Sequence, residues 1–251
     1  MKLPSLFGTL LLLALPALAA DPTPAEAVKA AAKKLAEAEN YSWRSTTETP
    51  TESRWRPGPS EGKASKDGSV CVTMTRGENT TEAVMKNGKV AIKNREGKWQ
   101  TPEEMESASD EQNQRRGGRF IGRMLQNFKT PAAQAEDLAG KVKELKNTDD
   151  SYAGDLSEEA VKELLSFGGR RREGSEAPTP TDARGSARFW VKDGLLSKLE
   201  VHVEGTMKFN ENEMKIDRTT TTEVKEVGST KLEIAEEAKQ KLEGATTEKK
   251  S

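Results

Sequence analysis

The sequence predicts an α+β protein that contains a large antiparallel sheet. Three observations support this fold class: a helical pattern at residues 23–39, apolar–polar alternation across residues 41–99 and 189–224, and amphipathic helices confined to residues 101–167 between them. Helices and strands are therefore segregated along the chain, and this order is typical of α+β proteins rather than of a parallel sheet with alternating helices.

The first twenty residues have the pattern of a secretory signal peptide. Lys2 precedes the apolar run Leu6 to Leu15, and Ala17-Leu18-Ala19 forms a small-x-small cleavage site just before Asp21. A membrane span needs about 20 apolar residues, so this run is too short to be one. We expect a soluble mature protein in the periplasm or outside the cell. We expect no lipid anchor, because Ala20 or Asp21, and not a cysteine, directly follows the cleavage site.

Composition excludes several classes of function. The 40 basic and 41 acidic residues give a net charge of −1, so no general positive field attracts nucleic acid. Cys71 is the single cysteine, which rules out an intramolecular disulfide, and its place in an alternating run indicates an ordinary strand thiol. No glycine-rich phosphate loop, CxxC, HExxH or GxSxG motif occurs, and we expect neither cofactor nor enzymatic activity.

Local signals define the first half of the chain. Thr23, Pro24 and Glu26 form a capping box that starts the first helix, and Asn40 is a plausible stop. A hairpin follows, in which Asn87-Gly88 occupies a two-residue turn between Thr80–Lys86 and Lys89–Asn94. This turn predicts that Met85 pairs with Val90 and Ala83 with Ile92, on one face of the sheet.

The insertion at about 101–167 contains several predicted helices. Thr101-Pro102 and Pro131 each begin one, Ser157 caps another that Gly168 ends, and residues 106–118 are expected to be mobile. Between Val142 and Tyr152 a strand is favoured, and residues 168–184 are expected to form a loop. One helix has a broad apolar face, which comprises Phe120, Ile121, Met124, Leu125 and Phe128.

The last third predicts a long hairpin and a short terminal helix at Ala235–Leu242. Apolar residues occupy odd positions up to Phe209 and even positions from Met214. Before this hairpin, a three-residue loop with a G1-type bulge at Gly194 would place Phe189 opposite Leu199. Gly205 predicts a bend or bulge.

His202 is the only histidine, and it lies between Glu200 and Glu204 on the polar face of its strand. Alternate strand residues are about 6.5 Å apart, so three ligands in one row converge poorly on a metal ion. The sequence therefore favours a solvated face here, and no metal site is predicted.

Several segments together resemble one family. They are the capped first helix, the meander from Lys86-Asn87-Gly88-Lys89 to Trp99, the helical insertion, and the hairpin Phe189-Trp190-Val191-Lys192-Asp193-Gly194-Leu195 continuing to Leu199. The chain resembles the outer-membrane lipoprotein carrier (LolA-like) superfamily, with mycobacterial lipid-carrying lipoproteins as distant relatives, and still more closely uncharacterised exported bacterial proteins. The resemblance implies one domain at residues 21–243. It would be an open half-barrel with helices packed on its concave face, followed by a disordered tail at 244–251.

The leading hypothesis is a non-enzymatic exported protein that holds a lipid, acylated or other apolar ligand between sheet and helices. The alternative is an envelope protein with a filled core, which works through its charged insertion and arginine-rich loops; a hydrolase is a distant third. No nucleic acid and no transmembrane segment in the mature chain are expected. The predicted pocket residues are Phe120, Ile121, Met124, Leu125, Phe128, Phe189, Leu199, Val201, Val203 and Met207.

Overall fold

The computed structural model describes residues 21–50, 57–108, 121–166, 180–209 and 212–244. The predicted signal peptide and nearly all of the predicted tail lie outside these ranges, as do Phe120, Gly168 and most of the segment predicted to be mobile.

Six helices lie in the described ranges. Residues 121–126 are helical and are called α3 here. The others are α1 (Pro24–Ala36), α2 (Pro102–Ala108), α4 (Pro131–Ala139), α5 (Glu158–Leu165) and α6 (Glu236–Glu243). None of the helices in these ranges is long and apolar enough to cross a membrane.

In the described residues, eleven antiparallel strands form one open sheet in the order β6-β5-β4-β3-β2-β1-β11-β10-β9-β8-β7. The first and last of these strands in sequence, β1 and β11, are neighbours in the middle of the sheet. The predicted α+β class with an open half-barrel is confirmed. The strands are β1 (Asn40–Glu48), β2 (Ser60–Ser65), β3 (Val70–Arg76), β4 (Asn79–Lys86), β5 (Lys89–Lys93), β6 (Trp99–Gln100), β7 (Lys146–Thr148), β8 (Ser151–Asp155), β9 (Thr181–Lys192), β10 (Leu195–Phe209) and β11 (Asn212–Lys225).

Predicted caps and the first hairpin are confirmed. Thr23 and Glu26 form the capping box of α1, and Ser157 accepts a hydrogen bond from the third residue of α5. Asn87 and Gly88 have φ angles of 50° and 75°, as a type I′ turn requires, and Met85 lies opposite Val90.

The second predicted turn is partly wrong. Phe189 does lie opposite Leu199, but Asp193 and Gly194 have φ angles of 54° and 73° and form a two-residue turn. The extra residue is Ser197 in β10, whose hydroxyl donates to the Trp190 carbonyl at 3.1 Å. Two left-handed residues match the twist of the strands, so the bulge moves out of the turn. The predicted irregularity at Gly205 is confirmed by a second register shift.

The loop predicted up to residue 184 is also too long, because β9 already begins at Thr181. Residues 181–184 pair with the second half of β10, and Arg184 lies opposite Glu204. The long partner strand supplies hydrogen bonds to a segment that includes Asp182 and Ala183, which are poor strand formers.

The main core lies between the concave face and helices α1, α4 and α5. Helices α1 and α5 contact β9 and β10, and α4 contacts β10. The fully buried residues of the three helices include Val28, Leu35, Ala135, Leu138 and Val161. Helix α6 packs instead on the convex face, where it forms a second apolar cluster comprising Val84, Ala91, Trp99, Ala238 and Leu242.

Candidate functional site

The predicted pocket residues fall into three groups. Five strand residues line the concave face and are buried: Phe189, Leu199, Val201, Val203 and Met207. Leu125 is buried in the same core, whereas Ile121 and Phe128 are only half-buried against it. Met124 is 38% exposed and faces away from the core.

The half of the concave face formed by β9 and β10 is tightly packed. A Cβ atom at Gly185 would lie 2.5 Å from the His202 carbonyl oxygen and 3.1 Å from Val161. At Gly205 it would lie 2.6 Å from Leu165, so α5 rests directly on both glycines. Side chains of α5 therefore fill the space directly above these two glycines.

Residues 121–128 cross the other half of the concave face. Gly122 lies so close to Pro102 that an added Cβ atom would be 2.8 Å from that ring. Six residues further on, the Phe128 ring stacks on Trp43 of β1, with centroids 6.1 Å apart. The segment therefore runs from the start of α2, beside β6, to the middle of the sheet.

Several half-buried apolar side chains belong to this segment, to α2 and to β3. We name them the apolar seam, and each packs against the main core while keeping part of its surface accessible. Two methionines in the seam have flexible and polarizable side chains, which can adapt to ligands of different shape. The seam comprises Val70, Met74, Met105, Ile121 and Phe128.

Sequence reasoning found Ile121 and Phe128 but missed the other members of the seam. Val70 and Met74 alternate along β3, which indicated that they share a face with Val72. Nothing in the alternation shows that Val72 is buried while its two neighbours are only half-buried, because this depends on packing between elements that are distant in sequence.

Tyr41 attaches the end of this crossing to the sheet. Its buried ring is 5.8 Å from Trp43, and its hydroxyl accepts hydrogen bonds from the Thr130 side chain and the Ala132 backbone. Burial raises the pKa of Tyr41, so the phenol stays neutral and can hold the start of α4 in place over β1.

A groove of about 770 Å³ lies on the convex face, opposite the predicted pocket. Its walls are largely charged, and several charges are already paired, as in Arg44–Glu61 at 2.5 Å and Lys93–Glu82 at 3.1 Å. Half-buried Cys71 lines the groove, and burial raises the pKa of its thiol, as expected of an ordinary strand cysteine. Charged walls of this kind do not suit an apolar ligand.

A different polar cluster occurs further along the convex face. One donor atom each from His202, Glu204 and Asp217 lies within 4.8 Å of the others. The His202 Nε2 atom is 3.0 Å from Asp217 Oδ1. Glu200, the third residue of the row considered from the sequence, is not part of this cluster.

No family model and no curated protein matches the chain. Among solved structures, lipoprotein LppX of Mycobacterium tuberculosis is similar with a TM-score of 0.44 and 10% identity, covering 85% of this chain and 99% of that one. LprF of Mycobacterium bovis gives 0.40 and 10%, covering 84% and 97%. A LolA superfamily protein of Nitrosomonas europaea gives 0.34 and 10%, covering 84% and 96%. All three similarities are distant, with TM-scores below 0.5.

Proposed function

We propose that this chain is an exported, non-enzymatic protein that binds a lipid or other apolar ligand between the sheet and residues 121–128. The observation that carries the proposal is the apolar seam, a set of half-buried apolar side chains that pack against the main core. Apolar walls with few polar groups are typical of sites for such ligands.

The two halves of the concave face differ in how easily they open. Helix α5 rests on glycine backbone in β9 and β10, so lifting it would expose the main core. Residues 121–128 contact Pro102 at one end and Trp43 at the other. An aromatic pair contributes about 0.5–1.5 kcal/mol beyond its buried area, so the Phe128–Trp43 stack is a modest barrier to opening.

Export and domain organisation belong to the same proposal. Residues 1–20 direct the chain out of the cytoplasm, and residues 21–243 act as a single domain in the periplasm or outside the cell. The short tail at 244–251 takes no part in binding.

Binding of an apolar fluorescent dye to the mature protein tests this function. Ile121→Asp and Phe128→Asp place a carboxylate in the seam, and both variants are expected to lose dye binding while they stay folded. Met124→Asp is the matched control, because this exposed side chain lies on the same segment but outside the seam. Equal binding by all four proteins, each shown to be folded by circular dichroism, would contradict the proposal.

The filled-core envelope protein is retained as a second candidate. This candidate is favoured by the complete burial of Val28 and Leu35 of α1 and of Leu138 of α4, because that part of the core is already full. Under this alternative the dye does not bind, and Phe128→Asp lowers only the free energy of unfolding, by the few kcal/mol typical of a polar group placed among apolar ones.

A further inference from the structure

We propose that His202, Glu204 and Asp217 form a binding site for a divalent transition-metal ion of the zinc type on the convex face of the sheet. This proposal is independent of the apolar seam, which lies on the opposite face. One donor atom of each residue lies within 4.8 Å of the other two, so a single ion can reach all three after small side-chain rotations.

Strand register explains how three ligands converge here. His202 and Glu204 are two apart in β10 and share its convex face, while Asp217 in β11 lies directly opposite Glu204. A single row of Glu200, His202 and Glu204 would spread its ligands along one strand. A ligand from the neighbouring strand shortens that spread and removes the geometric objection.

Two carboxylates face each other across this ladder, which is unfavourable unless a cation lies between them. Arg184 lies opposite Glu204 on the other side, yet no ion pair joins these two residues in the described part of the chain. The partner found for Asp217 is His202, whose imidazole is itself a common metal ligand. Its side chain is 38% exposed and that of Asp217 is 51% exposed, so an ion has access from solvent.

The donor set selects the class of ion. One imidazole nitrogen with two carboxylates suits Zn²⁺ and related transition metals, whereas Ca²⁺ and Mg²⁺ prefer oxygen ligands alone. Water would complete the coordination, because three side chains leave at least one position open.

Isothermal titration calorimetry of Zn²⁺ into the untagged, metal-stripped mature protein tests the site. The wild-type protein is expected to bind one Zn²⁺ saturably, and His202→Asn and Asp217→Asn are expected to weaken binding at least tenfold. Glu200→Gln is the matched control on the same strand face, and Cys71→Ser excludes the thiol; both should bind as the wild type does. Excess Ca²⁺ should leave Zn²⁺ in place.

Three results would overturn the proposal. They are absence of saturable binding in the wild type, unchanged binding in His202→Asn, and an equal loss in Glu200→Gln, which would indicate a diffuse acidic surface. Displacement of Zn²⁺ by Ca²⁺ would contradict the role of the imidazole. All substituted side chains point outward, and circular dichroism of each variant verifies that it is folded.

Discussion

Trp43 depends on a glycine in the neighbouring strand. Gly62 lies opposite it in β2, and a Cβ atom there would be 2.0 Å from the indole ring. Because the ring also stacks on Phe128, this one glycine sets how residues 121–128 approach the sheet.

Gly62→Ala should therefore destabilise the protein. The indole ring must move out of a buried position, and overpacking of this kind costs about 1–3 kcal/mol. Urea unfolding followed by circular dichroism measures the loss. Glu61→Ala, which removes only an exposed ion pair with Arg44, is the control and should cost less than about 1 kcal/mol. Equal stability of Gly62→Ala and the wild type would show that the ring has room to move.

Asp67 is the residue at which stability should depend most clearly on pH. Lys86 donates to its carboxylate at 2.5 Å, and Ser65 and the Ser69 backbone N–H donate as well. These contacts hold the pKa of Asp67 well below its ordinary value of 3.8. The resulting stabilisation is present above that value and is lost as pH falls toward the lowered folded-state pKa.

Asp67→Asn should lower the free energy of unfolding by about 1 kcal/mol at pH 7, since the exposed position screens its charge. The difference from the wild type should shrink as the pH is lowered below about 4. Urea unfolding at pH 7 and pH 3 measures both values, with Asp150→Asn in the turn between β7 and β8 as the control. A difference that grows at pH 3 would contradict the assigned direction.

At the level of elements, α5 is positioned by the glycines beneath it. The Cβ atom of an alanine at position 185 would lie 2.5 Å from a backbone oxygen, which cannot rotate away as a side chain can. Gly185→Ala should cost about 1–3 kcal/mol and speed hydrogen exchange of the α5 amides. Ser186→Ala, on the opposite face, should leave that exchange unchanged. Unaltered exchange in Gly185→Ala would mean that α5 does not rest on the strand.

Elements with a short-range chemical signal were predictable from the sequence. The turn at Asn87-Gly88 needs two left-handed residues, and Thr23 needs only the next turn of helix to act as a cap. The bulge at Ser197 was not predictable, because a bulge in the turn would pair Phe189 with Leu199 equally well.

Contacts between distant elements were harder to foresee. Half-burial of Met74 and Met105 depends on packing between elements that are distant in sequence, and no local pattern reports this. The cluster of His202, Glu204 and Asp217 did have a signal in the sequence. The alternation that places Met207 opposite Met214 also places Glu204 opposite Asp217.

At the scale of the whole molecule, helices pack on both faces of the sheet in the described residues. Helix α6 lies on the convex side, where Lys241 pairs with Glu104 of α2 at 2.6 Å and Ala238 is buried against β4 and β5. This cluster is separate from the main core, so it should open without unfolding the rest of the protein.

Ala238→Asp should release α6, because an unpaired carboxylate is costly in an apolar cluster. Hydrogen exchange should become fast in residues 236–243 and stay slow in β9 and β10, as mass spectrometry of peptides measures. Lys239→Ala, on the exposed side of the same helix, is the control. Global unfolding of Ala238→Asp would show that the two cores are one cooperative unit.

Native mass spectrometry of the mature protein, exported to its own compartment and purified without detergent, tests the central claim most directly. We expect a discrete added mass that organic solvent removes, and that is absent when Phe128→Asp is purified in the same way. A mass equal to that of the bare chain, unchanged after incubation with mixed envelope lipids, would contradict ligand binding at the apolar seam.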